Sequence, residues 1–205
     1  MTQVSRQALI EGAKSGKIVS FPTDTIPALA VQPEKSQLIF QTKRRSQTKP
    51  LILMGDKPES LWPYVAGSPQ ELELWQQTAA EYWPGALTLV LPASEKVPPA
   101  INPLEHQKQD GTPTIGLRVP DCGLARKILE QTGPLATTSA NLSGQPALKT
   151  TVEIEAQFPE VLTLVPKELE SIKSSSGLAS TVVKWNRELG WEILRQGAVN
   201  LKLER

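Results

Sequence analysis

Apolar residues come in short runs along this chain, and Pro, Gly or a polar cluster cuts each run off. Ala8, Leu9, Ile10 and Ala13 fall at roughly helical spacing, which predicts a helix over 5–15 stopped by Gly16. Ile18, Val19 and Phe21 predict a short buried strand ended by Pro22. A helix is expected over 33–45, opened by Pro33 and carrying Leu38, Ile39 and Phe40, followed by a strand over 51–54. Residues 68–82 read as a helix that starts at Ser68-Pro69 and carries Leu72, Trp75 and Ala79. Strands are expected over 87–91 and 114–119, separated by a polar, Pro-containing stretch at 93–112 that reads as a long surface loop. A helix over 122–131 ends near Gly133, a strand starts at 135–137, a short helix covers 151–157 and a strand 162–165. The stretch 167–178 holds Ser174-Ser175-Ser176-Gly177 and reads as a flexible loop. The runs 181–185 and 191–194 pair as a hairpin across 186–190.

This alternation predicts an α/β (α+β) fold, a twisted open sheet of mixed parallel and antiparallel strands with flanking helices. No internal repeat or linker shows, so residues 1–205 are expected to form a single domain. A chain of 205 residues buries enough surface for a core without disulfides. The lone Cys122 excludes an intrachain disulfide and suits a reducing, cytoplasmic setting. One His, His106, and one Cys are too few for a typical zinc site. No apolar stretch is long enough to span a bilayer, and no signal-type run opens the chain, so no membrane partner is expected. The net charge of +1 means that any nucleotide or nucleic acid must be met by local clustering of charge.

Several polar segments fall where a loop leaves a strand, the edge at which open α/β sheets bind ligands. Pro22-Thr23-Asp24-Thr25 offers hydroxyls and a carboxylate to an amino acid or a metal-bound phosphate, or simply a turn whose side chains bond their own backbone. Lys43, Arg44, Arg45 and Lys49 can neutralise a triphosphate or meet an RNA backbone. A solvated patch at a helix C-terminus accounts for the same residues. Thr137-Thr138-Ser139-Ala140-Asn141-Leu142-Ser143-Gly144 offers N–H groups and short side-chain donors to phosphate, or caps a helix start. Arg118 stands in an otherwise apolar strand and needs a partner or a ligand. Ser180-Thr181 opens a late strand and Arg195-Gln196-Gly197 ends the last one. Cys122 reads as a helix-start residue, the tryptophans as packing, and no paired-carboxylate acid–base pattern is legible.

In this order, these segments resemble the YrdC family of threonylcarbamoyl-AMP synthases. The carrying motifs are Pro22-Thr23-Asp24-Thr25, Lys43-x-Arg45 with Lys49-Pro50-Leu51, and Pro84-Gly85-Ala86-Leu87-Thr88. Arg118-Val119-Pro120, Thr138 to Gly144, Ser180-Thr181-Val182-Val183 and Arg195-x-Gly197 complete them. The resemblance implies a concave basic cavity and a nucleotidyltransferase that joins L-threonine, bicarbonate and ATP, with Mg²⁺, into threonylcarbamoyl-AMP and pyrophosphate. Downstream threonylcarbamoyl-transfer proteins then modify tRNA. It places Lys43, Arg45, Lys49, Ser139, Asn141 and Arg195 on ATP, Lys43 and Arg45 being catalytic. It places Thr25, Arg118, Thr137 and Ser180 on threonine, and names no metal ligand. The first motif continues Ile26-Pro27-Ala28, where the family has Val, an aromatic residue and Gly; Met54 and Ala147 also depart from the family pattern. The alternative reading is a non-catalytic YrdC-like protein that binds double-stranded RNA or tRNA through the basic cavity.

Overall fold

The computed structural model describes residues 2–103, 113–170, 172 and 175–201. A small parallel pair joins β1 (Gln3–Val4) to the later strand β8 (Thr163–Leu164). The main sheet contains β2 (Val19–Phe21), β3 (Ala28–Val31), β4 (Ile52–Met54), β5 (Leu87–Pro92), β6 (Thr114–Arg118), β7 (Leu135–Ser139), β9 (Thr181–Asn186) and β10 (Gly190–Arg195). Their spatial order is β10-β9-β5-β6-β4-β7-β3-β2. β4–β6 and β5–β9 are parallel and the other neighbours antiparallel, so the expected mixed sheet is present.

Helices α1 (Arg6–Lys14), α2 (Gln37–Thr42), α3 (Pro69–Tyr82), α4 (Gly123–Thr132) and α5 (Thr151–Gln157) flank it. Their starts follow from local chemistry. The Ser5 hydroxyl accepts from the Ala8 N–H, and Ser68 with Glu71 and Thr150 with Glu153 form capping boxes. Gly133 ends α4 at a φ of 76°.

Two expectations fail. The helix over 33–45 is split into a 3₁₀ turn, Pro33–Lys35, and the short α2. Arg44 then takes a φ of 49°, a left-handed conformation that an α-helix cannot continue through. Strand β3 was not expected, because its run Ala28-Leu29-Ala30-Val31 is buried throughout and shows no alternation. Of the expected loop at 93–112, the described part contains a 3₁₀ turn at Pro99–Ile101, and His106 lies outside the described residues. The tryptophans are packing residues: Trp62 stacks on Trp83 at 5.9 Å, and Trp185 meets Trp75 and Trp191 edge-on.

The two faces of the sheet are covered unequally. On one, Leu29, Leu53, Leu89, Leu117 and Val183 pack with Ile39, Phe40 and Trp75 of α2 and α3. On the other, α1 and α4 bring Leu9, Ile10, Ile128 and Leu129 against Phe21, Ala28, Ala30 and Leu135, with Met54 of β4 at the edge of the cluster. The remainder of this second face lines an open cavity.

Candidate functional site

Successive strand residues point to opposite faces. Leu53, Leu89, Leu117 and Val183 enter the core, so their neighbours in sequence must line the other face. They do, around a cavity of about 410 Å³. One row across its floor contains Met54 paired with Arg118, then Thr88 paired with Val182, then Arg195. The next contains Thr137, Ile52, Gly116, Val90 and Lys184. Gly116 leaves the middle bare, since a Cβ there would stand 2.8 Å from Ile52 Cγ2. The cations Arg45, Arg118, Lys184 and Arg195 line this cavity, and among the described residues no carboxylate does.

Arg118 is 4 % exposed and held on three sides. Its Nε donates to Gly85 O at 3.0 Å, Nη1 to Thr25 Oγ1 at 2.8 Å, and Nη2 to Asp24 Oδ1 at 2.7 Å. Burial pushes its pKa down, and the Asp24 charge opposes that. The Thr23-Asp24-Thr25 turn therefore serves itself and its neighbour. Thr23 Oγ1 donates to Ile26 O and accepts from the Thr25 N–H, while Asp24 and Thr25 reach out to Arg118. A guanidinium has five N–H donors, so two remain for a ligand.

The basic segment splits in two. Lys43 ends α2, points inward and is 1 % exposed. Its Nζ donates to Ser139 O and, at 3.1 Å, to Asn141 Oδ1. Ser139 Oγ donates to the same Oδ1 at 2.5 Å, and Asn141 Nδ2 donates to Leu142 O and Gln145 O. Lys43 thus ties the end of α2 to the 139–145 loop, and no helix starts in that loop. Burial, and secondly the Arg45 charge, lowers the Lys43 pKa to about 7. Arg45 turns to the cavity instead, its Nε on Lys49 O at 2.9 Å and its Nη2 on Pro50 O at 3.0 Å. Burial also lowers the Arg45 pKa. The Lys49 side chain is exposed, and neither Lys43, Lys49 nor Asn141 forms part of the cavity wall.

At the opposite wall, Ser180 Oγ bonds Thr88 Oγ1 at 2.9 Å, and Arg195 Nη2 donates to Ser180 O at 2.8 Å. Gly197 makes this approach possible, since a Cβ on it would stand 2.3 Å from Ala179 O. The structure thus brings Thr25, Arg45, Arg118, Thr137, Ser139, Ser180 and Arg195 around one cavity. Ile26, Ala28 and Met54, three of the positions that depart from or adjoin departures in the family pattern, line it too. Thr88 and Lys184 also line it and were missed from sequence; alternation from Ser180 through Val182 finds Lys184, and the position of Thr88 between the core residues Leu87 and Leu89 finds Thr88. Cys122 stands at the N-cap position of α4, buried, and burial pushes its thiol pKa up.

The Sua5/YciO/YrdC family model, described as telomere recombination, matches residues 11–197. Threonylcarbamoyl-AMP synthase from Vibrio campbellii is 31% identical over 183 residues, covering 82% of this chain and 95% of that one. The synthase of the same name from Pyrococcus abyssi is 32% identical over 174 residues, 83% of this chain but 47% of that longer protein. The crystal structure of P. abyssi Sua5 complexed with L-threonine superposes with a TM-score of 0.77 at 30% identity, over 94% of this chain and 53% of that one. E. coli YciO shares the fold at 22% identity, with a TM-score of 0.75 over 96% of this chain and 90% of that one. With the family match running almost from end to end and the fold shared throughout, this chain belongs to the Sua5/YciO/YrdC family.

Proposed function

We propose that this chain is an L-threonylcarbamoyladenylate synthase, acting as one YrdC-like domain over residues 1–205. The observation that carries the reading is the two-ended cavity: a locked, charge-compensated arginine at one end and uncompensated cations at the rim. The relatives' names and the threonine-bound Sua5 structure point the same way.

In this reading the two unused Arg118 N–H groups take the threonine carboxylate as a fork, with Thr25, Thr137 and Ser180 around the amino acid. The threonine amine and bicarbonate give the carbamate and water. The carbamate carboxylate then attacks the α-phosphorus of ATP, forming the new O–P bond as the bond to pyrophosphate breaks. Carbamate and triphosphate are both anions, so the step needs positive charge at fixed positions more than it needs a base. Arg45 and Arg195 supply that charge, and Ser139 offers its hydroxyl edge to the nucleotide. Lys43 and Asn141 hold Ser139 in place, and Lys49 orients Arg45 through its carbonyl. A carbamate is short-lived in water, so a site recessed on the sheet face suits it better than an exposed surface.

Among the described residues no group of three His, Cys, Asp or Glu side chains could hold a metal ion. Mg²⁺ would enter with the ATP phosphates, the way this ion commonly enters nucleotide sites, and no protein ligand is assigned to it. The product passes to transfer proteins that modify tRNA. No helix among the described residues is long and apolar enough to cross a membrane.

The test is pyrophosphate release from ATP with L-threonine and bicarbonate supplied together, singly and not at all. Release that needs both supports the synthase. Absence of release, with tight and salt-sensitive binding of tRNA or double-stranded RNA, would replace it with the binding-protein reading.

A further inference from the structure

Arg118, Arg195, Arg45 and Lys184 line one cavity, but the first three already spend N–H groups on the protein. Among the described residues, no hydrogen bond or ion pair engages the Lys184 ammonium. Glu192 stands opposite it in the β9–β10 ladder, on the same face, and still no ion pair forms. The register puts Lys184 at the end of the floor row that runs from Thr137 through Ile52, Gly116 and Val90. Its side chain is part-buried, and no family motif named above includes it.

Neighbouring strands lie about 4.8 Å apart, so Lys184 is roughly 10 Å from the bare centre at Gly116. It is also two residues along β9 from Val182, the cross-strand partner of Arg195, or roughly 7 Å. A carboxylate on Arg118 would leave Lys184 and Arg195 on the same side of the cavity, across the floor from Arg45, which hangs from Pro50 before β4. An ammonium is a compact point charge with three donors and no planar fork. That matches a tetrahedral phosphate oxygen better than the planar amino-acid carboxylate.

We infer that Lys184 is a phosphate-binding residue for the nucleoside triphosphate, contacting the β- and γ-phosphates that leave as pyrophosphate. The inference rests on the nucleotide-activating reading above. It adds a cation from β9 to Arg45 and Arg195.

The test compares wild type, Lys184→Ala and Lys184→Arg in the whole chain, by calorimetric binding of Mg-ATP and by steady-state pyrophosphate release. One charge-assisted contact corresponds to about a tenfold change in affinity. Lys184→Ala is expected to raise the Kd and KM for ATP by about tenfold, with KM for threonine and the melting temperature unchanged. Lys184→Arg keeps the charge and is expected to return ATP binding to within about threefold of wild type. An ATP Kd within twofold of wild type in Lys184→Ala would overturn the inference, as would an equal rise in KM for threonine. A wild-type protein that binds ATP but releases no pyrophosphate would sink the synthase reading alone, and the Kd comparison would still decide Lys184. A wild-type protein that does not bind ATP overturns both.

Discussion

Arg118 and Arg45 reach the same cavity but are held in opposite ways. Arg118 is 4 % exposed, pairs with Asp24 at 2.7 Å and donates to Thr25 and Gly85 as well. Arg45 hangs at the rim from two backbone carbonyls, and no carboxylate answers it. A compensated charge in a rigid cradle presents two fixed N–H groups and little net field, which selects by geometry. An uncompensated charge at an open rim attracts a polyanion and tolerates movement of its parts. In the proposed reading, the amino-acid end is therefore built before substrate arrives, while the phosphate end depends on the substrate for its counter-charge.

The largest test of that contrast is Arg118→Met. It leaves Asp24 without its partner and should cost about 3 kcal/mol of stability, read by urea denaturation. Pyrophosphate release should fall at least about 100-fold, and Arg118→Lys should not restore it, since an ammonium lacks the fork. A stable Arg118→Met with an unchanged KM for threonine would break the comparison.

Arg45→Ala should slow release by about 100-fold while stability stays within about 0.5 kcal/mol, because both of its partners are backbone carbonyls at the rim. An equal loss of stability at both arginines would erase the difference between the two ends.

Lys43→Met falls between them. The family resemblance alone predicts lost activity in an intact fold. Because the Nζ holds Ser139 O and Asn141 Oδ1, stability should fall too, by about 1–2 kcal/mol. The folded chain holds the Lys43 proton less tightly than the unfolded one, its pKa being lowered from 10.5 to about 7. Between those values the unfolded state binds more protons, so this group makes stability rise with pH. Thermal melts from pH 7 to 10 should show that rise in wild type and lack it in Lys43→Met.

Lys49→Ala should have the smallest effect, less than about threefold on kcat/KM for ATP, since its exposed side chain is not in the wall. A loss as deep as that of Arg45→Ala would move the phosphate path outward.

Much of the fold could be read from the chain, because local chemistry set it. Gly16, Ser68 and Gly133 announce helix ends, and Arg118 announces itself as a charge inside an apolar strand. β3 was hidden, because a strand buried on both faces has no alternation to read. The division of labour between Lys43 and Arg45 was hidden too. It depends on the left-handed turn at Arg44 and on acceptors at Ser139 and Asn141, far along the chain. Lys184 follows Ser180 and Val182 by strand alternation, but its place across the floor from Gly116 needed the register of β5, β6 and β9.

The most direct measurement of the central claim is the mass of the adenylate formed from ATP, L-threonine and ¹³C-bicarbonate. The account predicts an AMP adduct that carries threonine and one labelled carbon, formed only when all three substrates are present. An adduct of threonine and AMP without the bicarbonate carbon, or one formed equally well when bicarbonate is withheld, would contradict it.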